Sequence, residues 1–327
     1  MTSLPDLGIM LPLGGGLDAA TIVRLAVEAD RAGVPALAAG EHASTELFSL
    51  LGAIAARTGR VRLESAVVST VSRSASLVTM AALTLDSLAP GRFSLGVGAG
   101  SPMVAGWHGR PFDRPVTRMR SFLEALRLGL AGERVDALGR FRALSPSAPG
   151  VPVRLAAANP RMLDLAATHA AGVLVNFAGQ QEVARIAAAG RQARAAAGIA
   201  PPYAVHVMRW TALDVPVADA RRTFAQEVGP YLAVPAYAVA AAEIAGQDAI
   251  DAAGQAWRDG GRAGAAAAVP DALADELLVT GDAADLAAHA AALQARGCDA
   301  VRFLPLTPDP GSTTSLEALV HALGTLS

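Results

Sequence analysis

Pro90-Gly91-Arg92-Phe93-Ser94-Leu95-Gly96-Val97-Gly98-Ala99-Gly100-Ser101 is the stretch that decides the fold class of this chain. Phe93, Leu95 and Val97 alternate with smaller residues, the period-two pattern of a short strand. Gly96, Gly98 and Gly100 then stand at alternate positions. Glycine lets a backbone turn sharply and lie close to a ligand, because no Cβ intervenes. The rival reading is a dinucleotide-binding turn of the form GxGxxG. It fits poorly: the spacing here is GxGxG, and Pro102 stands where that motif's helix should begin. The stretch also lies in the middle of a strand-helix alternation, not at its first strand.

Outward from this strand the same alternation runs in both directions. Strands are expected at residues 7–11, 36–39, 61–68, 92–97, 153–156, 172–175, 203–213 and 300–304. Helices are expected at 18–32, closed by Gly33, and at 46–57, 77–88, 117–130, 161–168, 182–196, 283–296 and 315–326, with another starting near 218. Two excursions interrupt the rhythm: residues 98–152 after the fourth strand and the alanine-rich 229–270 after the seventh. Eight strands alternating with helices, and no composition break that reads as a linker, predict one closed (β/α)₈ TIM barrel over residues 1–327. The 229–270 insertion reads as a pocket lid or oligomer contact; alanine-rich helical filler fits it equally.

Composition narrows the chemistry. A 52% hydrophobic content over 327 residues supplies a large core, and a net charge of −2 gives no sign of a nucleic-acid surface. No basic segment precedes the first apolar residues, and no long uncharged apolar run occurs, so the expectation is a soluble cytoplasmic protein without a membrane span. All 27 basic residues are arginine. The absence of lysine excludes Schiff-base enzymes, pyridoxal-phosphate enzymes and P-loop NTPases, each of which needs that amine. Cys298 is the one cysteine, so no disulfide framework or cysteine zinc site is expected, and it reads as a buried structural thiol. His169, His206, His289 and His321 lack metal-ligand spacing and read as structural.

In a barrel, chemistry gathers at the C-terminal ends of the strands. Glu41-His42 follows the second strand, Ser69–Arg73 the third and Gly96–Ser101 the fourth. Ala157-Ala158-Asn159-Pro160-Arg161 follows the fifth, where small residues lead into a helix N-terminus, a ready anion site. These ends predict a phosphate-bearing ligand held across strands two to six. His42 reads either as a proton-handling group or as a satisfied loop histidine. Trp107-His108 reads as a second catalytic candidate or as packing of the long loop on the barrel rim.

Those strand ends carry a family resemblance that extends over nearly the whole chain. Pro90-Gly91-Arg92-Phe93-x-Leu95-Gly96-x-Gly98-x-Gly100 resembles the bacterial luciferase-like flavin and deazaflavin oxidoreductases, and is most similar to their coenzyme F420-dependent branch. Glu41-His42, Trp107-His108-Gly109, Arg118-Met119-Arg120 and Ala170–Asn176 share in the likeness. The resemblance implies an F420-dependent oxidoreductase passing a hydride between the deazaflavin C5 and a small organic substrate, as a reductase or a dehydrogenase. It implies a non-proline cis peptide at Ala66–Val67 on a strand-three bulge behind the cofactor ring. It assigns catalysis to His42 and Glu41, and cofactor binding to Ala66, Val67, Gly98, Gly100, Ser101, Ala157, Ala158, Asn159, Pro160, Arg161 and Asn176, with no metal. A homodimer or higher homo-oligomer is implied.

Departures from the family pattern matter too. Ser101 stands where the sugar-phosphate dehydrogenases carry an acid, Ser74-Ala75-Ser76 replaces a proline-containing segment, and no lysine is present to clamp a sugar phosphate. Glucose 6-phosphate is therefore not the expected substrate. Two alternatives stay open: an FMN-dependent monooxygenase served by a partner flavin reductase, and a non-catalytic flavin-binding barrel.

Overall fold

Short apolar runs become strands, and the segments between them become helices closed by local signals. In the computed structural model, which describes residues 4–41 and 43–326, β1 (Asp6–Met10) leads to α1 (Ala19–Ala32), β2 (Ala36–Ala39) and α2 (Leu47–Ala55). Next come β3 (Arg62–Ser65), β4 (Val68–Ser69), α3 (Ala75–Leu88), β5 (Phe93–Gly98), α4 (Pro102–Trp107) and α5 (Pro115–Leu130). The alternation continues through β6 (Val153–Ala156), α6 (Pro160–His169), β7 (Gly172–Val175), α7 (Gln180–Ala196) and β8 (Ala204–Leu213). Four helices then run in succession: α8 (Val217–Leu232), α9 (Pro235–Ala245), α10 (Gln247–Ala268) and α11 (Asp271–Leu277). The chain closes with β9 (Leu278–Gly281), α12 (Ala283–Ala295), β10 (Ala300–Pro305) and α13 (Thr314–Thr325).

Caps fix the helix ends. The Asp18 carboxylate accepts the Thr21 N–H at 2.7 Å to start α1, and Gly33 ends it at φ 89°, a conformation that favours glycine. Asp282 and Asp285 exchange hydrogen bonds with each other's backbone N–H groups at the start of α12, a reciprocal capping box.

The chain packs as two compact units. One holds residues 18–174 and 190–204. Its strands run parallel in the order β2-β3-β5-β6-β7, with β4 pairing β5 beyond β3. Every residue of β2 and β5 is buried, as expected of strands covered on both faces. On α1, Ile22, Leu25, Ala26 and Ala29 form the buried stripe at helical spacing. Arg92 ties the start of β5 to the loop before β3, donating to the Val61 carbonyl and the Thr58 carbonyl, each at 2.9 Å. The arginine of the opening stretch is thus a scaffold residue.

The other unit holds residues 4–17, 175–189 and 205–326. Its strands run parallel in the order β1-β10-β8-β9. Arg302 is buried on β10 and donates to the Asp6 carboxylate at 2.9 Å and the Asp6 carbonyl at 3.0 Å, fastening β10 to β1. Among the described residues no helix is long and apolar enough to cross a membrane.

Three local expectations change. The third strand is broken: β3 ends at Ser65 and β4 resumes at Val68, and the Ala66–Val67 peptide lies between them in the cis form. That is where the resemblance placed it. The excursion after the fourth strand contains α4, in which Pro102 starts a helix instead of preventing one. Proline suits the first helical position, since its missing N–H has no partner to lose there. β9 was not expected; four residues following directly on α11 are too short to show a period.

Candidate functional site

The ends of β2, β4, β5 and β6 lie side by side in one unit. Ala39 is level with Ser65, Ser69 with Gly98, and Val97 with Leu155. The residues that follow these ends are therefore brought to one edge of the sheet: Glu41, the 66–67 bulge, Gly98 to Ser101, and Ala157 to Arg161.

The bulge is held by hydrogen bonds and by the glycines. Ala66 N–H donates to the Ala39 carbonyl at 2.6 Å, and Glu41 N–H donates to the Val67 carbonyl at 3.0 Å. The Ser65 hydroxyl donates to the Gly96 carbonyl at 2.9 Å and accepts from the Gly96 N–H at 2.8 Å. A Cβ on Gly96 would run into the Ser65 carbonyl oxygen and the Leu174 side chain. A Cβ on Gly98 would stand 2.6 Å from Val67 Cγ2, and one on Gly100 would stand 2.5 Å from Ser69 Oγ. Gly100 also has φ +75°. Gly96 and Gly98 thus make room beside the bulge, and Gly100 for the turn that follows β4. Each of the three also approaches the chain itself closely, as these neighbours show.

Glu41 is equally engaged. Its carboxylate accepts the Ser69 N–H at 3.1 Å, the Ser72 hydroxyl at 2.6 Å and Arg73 Nε at 2.6 Å. Arg73 also pairs with Glu46 and lies 5.0 Å from the Phe48 ring centroid. Burial tends to raise the Glu46 pKa, but hydrogen bonds from Ser49, Phe48 and Arg73 outweigh it and hold the carboxyl below its ordinary range. Glu41 and Arg73 are each 15% exposed, so this ion pair is largely shielded from water. The carboxylate that follows β2 ties that strand end to the turn after β4. Its neighbour His42 lies outside the described residues.

Beyond β6, Asn159 caps α6 by accepting the Met162 N–H at 3.0 Å, and Pro160 takes the first helical position. Ala158, Asn159, Pro160 and Arg161 are exposed, while Ala157 is buried and donates its N–H to the Leu174 carbonyl at 3.3 Å. Arg161 has no ion-pair partner among the described residues. A positive side chain in the first turn opposes the helix dipole, so the end of α6 is electropositive from two sources. Small exposed residues, a dipole and an unpaired guanidinium suit a phosphate.

Ser101 serves as the cap of α4, accepting the Val104 N–H at 3.3 Å. Trp107 is 53% exposed and His108 is exposed, so the tryptophan does not pack the loop down as one reading proposed. Asn176 belongs to the other unit, where its side-chain oxygen accepts the Phe177 N–H at 2.8 Å. The sequence reading missed the parts played by Ser65 and Arg73; a serine inside an apolar strand and an arginine after a strand end were the available signals. Cys298 is buried, and burial pushes its thiol up to about 11, which keeps it inert.

Comparison with known proteins bears on this arrangement. Residues 5–300 match the family model described as luciferase-like monooxygenase. A Mycobacterium tuberculosis protein assigned as a coenzyme F420-dependent oxidoreductase is 31% identical over 193 residues, covering 52% of this chain and 55% of its own length. The chain spans about half the length of the curated relatives it matches. The F420-dependent tetrahydromethanopterin reductase of Methanopyrus kandleri superposes with a TM-score of 0.81 at 17% identity, covering 99% of this chain and 98% of that one. The oxygenating constituent of 3,6-diketocamphane monooxygenase from Pseudomonas putida, solved with FMN, gives a TM-score of 0.70 at 18% identity, with 98% of each chain covered. The first of these structures shows the fold as a (β/α)₈ barrel.

Proposed function

This chain belongs to the luciferase-like monooxygenase family, and from that premise we propose that it is a coenzyme F420-dependent oxidoreductase. The observation that carries the reading is the electropositive start of α6, where Ala158, Asn159 and Arg161 stand exposed and Arg161 lacks an acidic partner among the described residues. It stands on the same sheet edge as the Ala66–Val67 bulge. F420 carries a phosphate, which suits that end, and the relative of 31% identity supports this cofactor over FMN.

When bound, F420 would supply two-electron hydride chemistry. The protein's own residues have three tasks. Ala158, Asn159 and Arg161 hold the phosphate. Glu41, Arg73, Ser65, Gly96 and Gly98 fix the bulge. His42 handles the substrate proton, a role proposed from its place after β2. The substrate is a small organic molecule that is reduced or dehydrogenated. Trp107 and His108, exposed after β5, are not needed for this scheme.

The test is a titration with F420 and FMN side by side, read by fluorescence quenching. Tighter F420 binding is expected, and Ala158→Glu should weaken it at least tenfold by bulk and like charge. Preferential FMN binding, or unchanged F420 affinity in the variant, would overturn the reading. In the same series His42→Ala should keep its F420 affinity while turnover falls on the order of 10²-fold or more. Wild-type turnover would remove His42 from the scheme.

A further inference from the structure

Helices α1, α2, α3 and α5 lie side by side in the unit of residues 18–174 and 190–204. The outer two are charged on their outward faces: α1 turns Arg24, Glu28 and Arg31 to solvent, and α5 turns Arg120, Glu124 and Arg127. The inner two are not. No charged residue lies on α2, and α3 carries Asp86 alone. The Asp86 carboxylate reaches past the helix end, where it accepts the Gly91 N–H at 3.3 Å. What α3 exposes is a stripe at helical spacing, Leu77, Met80, Thr84 and Leu88, whose apolar members are 44%, 45% and 46% exposed in turn. A contiguous exposed apolar stripe of this kind marks an interaction surface.

The neighbouring helix offers its counterpart. The outward row of α2 and its cap is Ser49, Gly52, Ala53 and Ala56, all small. Apart from the helix's own backbone, nothing stands within 4 Å of a Cβ built on Gly52. A shallow hollow therefore runs beside the bulky stripe. Polar contacts hold the two helices level. At their starts Glu46, the cap of α2, pairs with Arg73, which precedes the Ser74 cap of α3. At their far ends Arg92, four residues past α3, donates to the Thr58 carbonyl just past α2 at 2.9 Å. The two helices thus run in the same direction. The ends of the face differ in charge. At the start, Glu41 and Glu46 share the one guanidinium of Arg73, which leaves that end net negative, whereas Arg57 stands exposed past the end of α2.

We propose that this face binds a second copy of the chain about a two-fold axis that passes between α2 and α3, perpendicular to the face. Such an axis lays α3 of one copy antiparallel on α2 of the other. Leu77, Met80 and Leu88 then meet the hollow of Gly52, Ala53 and Ala56 twice over, ridge into groove. The same axis carries Arg57 of each copy toward the negative end of the other. One surface thus supplies bulk and hollow, and both signs of charge, in the positions that self-pairing requires. The 229–270 insertion, the oligomer contact considered from the sequence, has no such stripe. Val239 is its one exposed large hydrophobic residue among the described residues.

Sedimentation velocity on the full chain, over a series of concentrations, reads the association. The wild type should be a dimer. Met80→Glu buries an unpaired charge in the contact and should raise the dissociation constant about tenfold or more. Gly52→Gln should do the same by filling the hollow. Its side chain has room within its own chain and favours the helix, so it tests the contact even if Met80→Glu disturbs the fold, which circular dichroism would reveal. Arg57→Glu should weaken the dimer, more so at low ionic strength. Val239→Glu, on the insertion, should leave it unchanged. A wild type that stays monomeric, even one that binds lipid vesicles or another protein through this face, would overturn the proposal. So would unaltered dimers in Met80→Glu and Gly52→Gln, or a dimer that Val239→Glu dissociates. Unchanged affinity in Arg57→Glu would overturn the antiparallel pairing.

Discussion

Single atoms decide whether the bulge behind the proposed cofactor site can form. Gly96 is the tightest case, since an added Cβ would meet the backbone oxygen of Ser65 and not the movable end of a side chain. Backbone cannot yield without disturbing the paired strands, so Gly96→Ala should destabilise by about 1–3 kcal/mol, the usual cost of overpacking. Gly59→Ala is the matched control, because nothing stands within 4 Å of its added Cβ. Urea denaturation of the two variants measures the difference. Equal midpoints would show that the strand end relaxes around the methyl group. The glycines are legible in the sequence as a motif. Their neighbour was not, because the motif says only that something comes close.

At the scale of elements, loops are fastened to helices by buried or partly buried polar groups that periodicity does not report. The Asp30 carboxylate, near the end of α1, accepts the backbone N–H groups of Val61 at 2.7 Å, Arg60 at 2.9 Å and Gly59 at 3.1 Å. It thereby holds the loop that feeds β3. Burial pushes its pKa up, but the hydrogen bonds from Val61, Gly59 and Arg60 outweigh that effect, and the folded value lies below 3.8. A depressed carboxylate stabilises the fold above its unfolded pKa, and that contribution is lost as pH falls through the folded value. Asp30→Asn should therefore cost about 1–2 kcal/mol at pH 7. Its denaturation midpoint should converge with that of the wild type once the pH falls below the folded value. A gap that persists in acid would show that the loss is one of packing and not of charge.

The whole molecule should respond to mild acid through a different group. His289 on α12 accepts a hydrogen bond from Arg209 Nε at 3.2 Å, beside the guanidinium that supports the Phe177 turn. Burial, with the Arg209 charge second, pulls the His289 pKa from 6.5 to about 4. Between those values the unfolded chain binds the proton and the folded one does not, so stability is complete above about pH 6.5 and falls as pH drops toward 4. The loss from this group should be about 2 kcal/mol, allowing for its partial exposure. His289→Gln keeps an acceptor for Arg209 and removes the titration, so its stability should be flatter between pH 6.5 and 4. An unchanged slope would assign the acid sensitivity elsewhere.

The sequence by itself determined most of the alternation of strands and helices and the barrel class, and the family resemblance added the place of the broken third strand. Alternation of apolar residues is a local property, and caps such as Asp18 with Gly33 and Asp282 with Asp285 act within a few residues of themselves. It also singled out Glu41, Arg161 and the glycine loop. Their partners came only with the tertiary structure: Glu41 is satisfied by Ser69, Ser72 and Arg73, which stand about thirty residues away in the chain. Gly96 abuts a strand it is paired with, and Phe177, whose ring meets those of Trp210, Tyr231 and Tyr237, comes from the loop after β7 while those three come from three separate elements. Hydrogen bonds and ring contacts depend on distance in space, and a pattern read along one chain carries no information about which distant residue will stand opposite.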